Sequence, residues 1–197
     1  MILNLSSRTK RSAWFAVLPL LLCCIGVHPQ SKATAGTSDQ SEVTLSSDLI
    51  NQELTTLYNR QLKLADYPGK ITIINVFASW CAPCRQNLWD LIKIKQKYGG
   101  HGVEVIGLVV PESDPDIAAV RRFVRLQQIN FPVVWDEKGF GASLVKAMKG
   151  QSVLPQTFII GEDGRILKHF QGFDSKHTPV LMREVLDQAG KEGKRTG

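Results

Sequence analysis

ITIINVFASWCAPCRQN, residues 71–87, decides how the rest of the chain is read. Its first seven residues are nearly all apolar, as in a strand covered on both faces of a parallel sheet. The run breaks at Ala78, Ser79 and Trp80, then enters a C-x-x-C pair, Cys81 and Cys84. Residues 82–98 have helical composition, GGHG at 99–102 ends them, and a second apolar run, VEVIGLVV, fills 103–110. Strand, helix and strand in that order form a β-α-β unit with a right-handed crossover. The cysteine pair stands where the first strand hands over to the helix.

Working outward, ELTTLYNRQLK at 53–63 alternates as a hairpin turning at Asn59 and Arg60, and DYPGK at 66–70 is turn chemistry. After PESDP, Asp114 is the expected N-cap of a second helix with Pro115 at its first position. Ile117, Val120, Val124 and Ile129 fall near one face of it. FPVVW at 131–135 reads as a short strand opened by Pro132, and GASLVKAM at 141–148 as a short helix. QTFII and RILKHF, joined by GEDG at 161–164, form a hairpin. A terminal helix opens at Thr178 and Pro179 and is expected to close at Gly190, leaving 191–197 as a disordered tail.

The front of the chain is of another kind. Residues 1–35 carry Arg8, Lys10, Arg11 and Lys32, no acidic residue, and the apolar run AWFAVLPLLLCCIGV at 13–27. That run is short of the roughly 20 residues a membrane span needs. It reads as a signal peptide or an N-terminal membrane anchor. Residues 36–52, rich in Ser, Thr, Gln and Gly, read as a flexible linker, and 53–190 as the folded domain. The net charge of +6 belongs largely to the leader, since the remainder holds 20 basic residues against 18 acidic. No basic cluster with interleaved aromatics marks a nucleic-acid surface.

Of four cysteines, Cys23 and Cys24 lie in the leader, so the domain keeps Cys81 and Cys84 alone. A stapled scaffold would carry more cysteines, and a bridge closing so short a loop removes little chain entropy. A closed zinc site wants four ligands, and His101, His169 and His177 stand singly, so no metal site is expected. Two thiolates could still hold Cu(I), and that alternative stays open. At a helix N-terminus a thiol is pushed toward its reactive thiolate by unpaired N–H groups and the macrodipole. Cys84, one turn on, faces the same side, and Pro83 fits the first turn without losing a useful hydrogen bond. The pair is thus suited to thiol–disulfide exchange, with Cys81 attacking and Cys84 resolving, in either direction. Trp80 offers either a contact surface beside the pair or ordinary packing. Sequence does not assign a cis bond at Pro155.

GKITIINVFASWCAPCRQNLWDL, VEVIGLVV and SVLPQTFIIGEDGRILKHFQG, taken together, resemble the TlpA-like branch of the thioredoxin superfamily, which includes ResA- and DsbE-type proteins. The resemblance implies a thioredoxin-like α/β fold, a central mixed sheet flanked by helices, with an N-terminal hairpin and an additional helix-strand insertion. It implies that Cys81 is the exposed nucleophile, Cys84 the resolving thiol and Pro155 a cis-proline, with Leu154 offering backbone groups to an extended partner segment. It also implies no cofactor and a monomer in the bacterial periplasm, soluble or anchored by its front segment. Such a protein reduces exported proteins of cytochrome c or copper-site maturation and is kept reduced by a membrane electron donor. Two residues depart from related patterns. Asn75 stands where cytoplasmic thioredoxins carry a buried aspartate, and Asn87 where many TlpA-like proteins carry a glutamate. An amide is no general base near neutral pH, so both thiols are expected to titrate lower than in a glutamate-bearing relative. The same departure weakens the specific cytochrome c role and leaves a general reductase as the expectation.

Overall fold

The computed structural model describes residues 43–196, and the leader expected over 1–35 lies outside them. A short helix, α1 (Ser47–Asn51), precedes a hairpin of β1 (Leu54–Thr55) and β2 (Gln61–Leu62). The body then runs through β3 (Ile71–Phe77), α2 (Ala82–Tyr98), β4 (Val103–Val109), α3 (Ile117–Leu126) and β5 (Val133–Trp135). It ends with α4 (Phe140–Ala147), β6 (Gln156–Ile160), β7 (Ile166–Gln171) and α5 (Thr178–Thr196). The remaining five strands form one sheet in the order β5-β4-β3-β6-β7. β4 pairs parallel with β3 and β5, while β6 pairs antiparallel with β3 and β7. This is the mixed sheet of a thioredoxin-like fold.

The apolar runs are explained by burial on both sides. Every residue of β3 and β4 is buried. Along β3, Ile71, Ile73 and Phe77 join a core with Leu88 and Leu91 of α2, Val120 and Val124 of α3, and Met182 and Leu186 of α5. Ile74 and Val76 point the other way, into a second core with Leu54, Leu62, Phe140 and Leu144. Alternate side chains along a strand face opposite sides, so Asn75 lies on the α2 face, and Gln156 and Thr157 on β6 part to opposite faces. That division places the two halves of the site.

Four boundaries differ from expectation. The linker expected over 36–52 becomes structure before its end: Leu45 is buried, its N–H donates to the Gly164 carbonyl at 3.0 Å, and the N–H of Ile166 donates to Val43 at 2.8 Å. Val43, Leu45, Leu49 and Ile50 all pack on the second core, anchoring a segment whose average composition is polar. The N-cap of α3 is Asp116, accepting from Ala118 and Ala119 at 2.9 and 3.0 Å, rather than Asp114. Asp114 is buried and bonded elsewhere. α5 continues through Gly190 to Thr196, where closure and a disordered tail were expected. A glycine inside a helix costs about 1 kcal/mol, and Gly190 does not adopt the left-handed conformation that ends helices. The strand expected from Phe131 begins at Val133. Among the described residues no helix is long and apolar enough to cross a membrane.

Candidate active site

Cys81 is the N-cap of α2, in extended conformation, with Pro83 in the first turn. It is joined to Cys84 by a disulfide with Cα atoms 5.2 Å apart, and its Sγ accepts from the Cys84 N–H at 3.2 Å. The sequence expectation of an exposed Cys81 needs correcting: the residue is 5 % exposed, while Cys84 is 0 %. Both belong to the buried core that holds Phe77 and Leu88, and of the two only Cys81 lines an open groove.

The turn before Cys81 is held from the neighbouring loop. Asp114 accepts a hydrogen bond from the Ser79 N–H at 2.6 Å, and the Trp80 indole N–H donates to the Ser113 carbonyl at 2.8 Å. The N–H groups of Ser113 and Asp114 in turn donate to Val110. Trp80 is therefore 63 % exposed yet tethered at its indole nitrogen. Sequence reading missed Asp114 as a site residue. Parallel pairing of β3 with β4 sets the loops after them side by side, so an acid just past the second apolar run could have been noticed.

The third element is the approach to β6. The Leu154–Pro155 peptide bond is cis. Gln156 is buried, and its amide nitrogen donates to the carbonyls of Gln151 and Val153 at 2.6 and 2.7 Å. Its oxygen meets His169 Nε2 at 2.6 Å, and the His169 ring stacks on Phe158 with centroids 4.2 Å apart. Burial lowers the His169 pKa below the usual imidazole value. The neutral ring donates from Nε2 to Gln156. The Gln171 side chain adds a bond to the Gln151 N–H at 2.6 Å. Segment 151–154 is thus pinned from below by β6 and β7. Between it, Trp80 and α4 lies the groove, about 820 Å³, with Cys81, Pro83, Lys146 and Leu154 among its walls.

On the opposite side of the sheet, Asn75 donates to the Gln156 carbonyl at 3.2 Å and to Thr157 Oγ1 at 2.8 Å. Asn87, three residues past Cys84 on α2, donates to the same hydroxyl at 2.9 Å. All three residues are fully buried, and among the described residues the Oδ1 atoms of both asparagines lack a partner. Thr157 bridges the two residues singled out from sequence and was not itself foreseen. His101 and His177 belong to neither side of the site: His101 follows α2, and His177 bonds Asp174 at 2.9 Å. Among the described residues no three His, Cys, Asp or Glu side chains gather as metal ligands would.

Residues 30–188 match the redoxin family. The chain belongs to that family. It is 28 % identical over 167 residues to the thiol-disulfide oxidoreductase ResA of Bacillus thuringiensis subsp. konkukian, covering 85 % of this chain and 92 % of that one. To the ResA of Bacillus subtilis it is 30 % identical over 156 residues, covering 79 % and 82 %. Two solved structures share the fold. A thioredoxin-family thiol:disulfide interchange protein of Chlorobium tepidum superposes with a TM-score of 0.59 at 23 % identity, covering 71 % of this chain and 92 % of that one. StoA of Bacillus subtilis gives 0.55 at 23 %, covering 68 % and 95 %. The resemblance to ResA-type proteins is borne out, and this redoxin is a thiol-disulfide oxidoreductase acting on protein thiols.

Proposed function

We propose that this redoxin is exported and reduces disulfides of extracytoplasmic proteins, with Cys81 as nucleophile and Cys84 as resolving thiol. The observation that carries the assignment of roles is the asymmetry of the pair: Cys81 borders the groove and Cys84 is sealed behind it. A partner disulfide in the groove is attacked by the Cys81 thiolate, so its S–S bond breaks as a mixed disulfide forms. The first partner sulfur leaves and takes a proton. Cys84 then loses its proton and attacks Cys81 Sγ, closing the protein disulfide and releasing the second partner thiol, so two electrons have passed to the partner. A membrane electron donor returns the pair to the dithiol. Trp80, Pro83 and Leu154 form the contact surface, and the buried cis-proline Pro155 supports it from behind. The acid-free, apolar start of the chain supports export.

Insulin reduction driven by dithiothreitol tests the chemistry. Cys81→Ser should fall to the uncatalysed rate, and Cys84→Ser should accumulate a mixed disulfide with its substrate. Tight stoichiometric Cu(I) binding with negligible exchange would instead favour a copper assembly factor using the same sulfurs. The direction is tested by the potential of the Cys81–Cys84 couple. A value near the roughly −270 mV of thioredoxin fits a reductant, and one near the −120 mV of a strong oxidant makes this redoxin a disulfide donor.

The pKa-tuning role of Asn75 and Asn87 belongs to the same proposal. With amides at both places, neither position supplies a buried carboxylate that would raise the thiol pKa values. Asn87→Glu should raise them and change the exchange rate. Identical thiol titrations and rates in the two proteins would remove Asn87 from the mechanism.

A further inference from the structure

Resting on the exchange reading above, we propose that the groove beside Cys81 selects disulfide-bearing segments that carry an acidic side chain among apolar ones, with Lys146 as the recognising charge. The occupant is an extended stretch of a partner protein, brought there because its disulfide must reach Cys81 Sγ.

The walls are mostly apolar: Trp80, Val110, Val145, Val153 and Leu154 face the groove. Among the described residues Lys146 is its one formally charged lining group, and no Asp, Glu, Arg or His shares the lining. Among the described residues the Lys146 ammonium has neither an ion-pair nor a hydrogen-bond partner, so its charge is free to meet a ligand. Apolar walls around a single charge focus its field into the groove rather than spreading it. The walls are also held before a partner arrives. The Trp80 indole is bonded to Ser113, and Gln156 fixes the carbonyls of Gln151 and Val153. Less ordering of those walls is then needed on binding, and a charge of one sign beside them discriminates between partners.

A cation in the last turn of α4 also complements the helix dipole. That role affects stability and leaves substrate choice untouched, so the two are separable.

The test uses the reduced protein and two apolar peptides, each with one cysteine joined to thiopyridine, with aspartates flanking the cysteine in one and lysines in the other. In each reaction the peptide–sulfur to pyridyl–sulfur bond breaks and the Cys81–Cys84 bond forms. The two thiol protons leave on the peptide thiol and the released thiopyridone, whose absorbance is read. Dividing each rate by the same protein's rate with neutral dithiodipyridine cancels general changes in reactivity. The wild type should react about three- to fivefold faster with the acidic peptide at low ionic strength, the size expected of one solvent-facing ion pair. The preference should shrink in roughly 0.5 M salt, disappear in Lys146→Ala and reverse in Lys146→Glu. Equal wild-type rates, or a preference that Lys146→Glu leaves in place, would overturn the proposal while the exchange chemistry stands. A wild type inert toward dithiodipyridine would overturn the exchange reading and this preference with it.

Discussion

The two faces of the sheet meet at one disulfide and treat polar groups in opposite ways. On the α2 face, Asn75, Thr157 and Asn87 are sealed from solvent, share one hydroxyl, and carry no charge. On the α4 face, a groove of about 820 Å³ stands open, with a tethered tryptophan and one lysine on its walls. Cys84 is sealed among the buried groups, and Cys81 borders the groove. The difference teaches a division of labour. On the functions proposed above, groups in the dry layer act on the electron pair, because their interactions are weakly screened, and groups in the groove act on the choice of partner.

The largest effect should come from breaking the dry side's neutrality. Asn75→Asp puts a carboxylate where a hydroxyl is its available donor, and should cost about 3 kcal/mol of folding stability at pH 7. Burial raises that carboxyl's folded pKa above the unfolded value of about 3.9. The folded protein then holds the proton longer, stability falls as pH rises between the two values, and the deficit should vanish near pH 4. Denaturant unfolding at pH 4 and pH 7 checks this; an equal deficit at both would mean the layer admits water.

A middle-sized effect should come from Asp114→Ala, which frees the Ser79 N–H and loosens the support behind Trp80. Loss of a charge-assisted bond of this kind costs about 2 kcal/mol. Trp80 fluorescence anisotropy should fall alongside the unfolding midpoint, and a stability loss without that fall would separate the loop from the groove wall. The smallest effect concerns His169. Its folded pKa lies below the unfolded value of about 6.5, so the unfolded chain binds the proton first. Stability should therefore decline as pH drops from about 6.5 toward the folded value, then level off. His169→Gln should flatten that part of the stability–pH curve. The half-buried ring keeps the amplitude to a fraction of what full burial would give.

What could be read from sequence follows the physics of each element. β3 and β4 were legible because burial on both faces leaves an unbroken apolar run, and the cysteine pair because its spacing matches one helical turn. The hairpin over 53–63 and the β6–β7 hairpin followed from turn residues. Asp114 was misread as a cap because an acid after a strand commonly starts a helix, and its burial depends on which loops the sheet order makes neighbours. Thr157 carried no local signal, since its partners Asn75 and Asn87 lie 82 and 70 residues away. The start of the folded body was hidden because four aliphatic side chains are diluted among serines. The cis bond at Pro155 came from resemblance alone.

That early start has a practical side. Val43 and Leu45 join the body at the turn between β6 and β7, beside Gly164 and Ile166. Ile160, just before that turn, pairs with Thr72 at the opening of β3, whereas the disulfide follows the other end of the strand. Seven extended residues span roughly 20 Å. Anything attached in front of Val43, whether a purification tag, a bead or a lipid bilayer, therefore joins the body at the end remote from its chemistry.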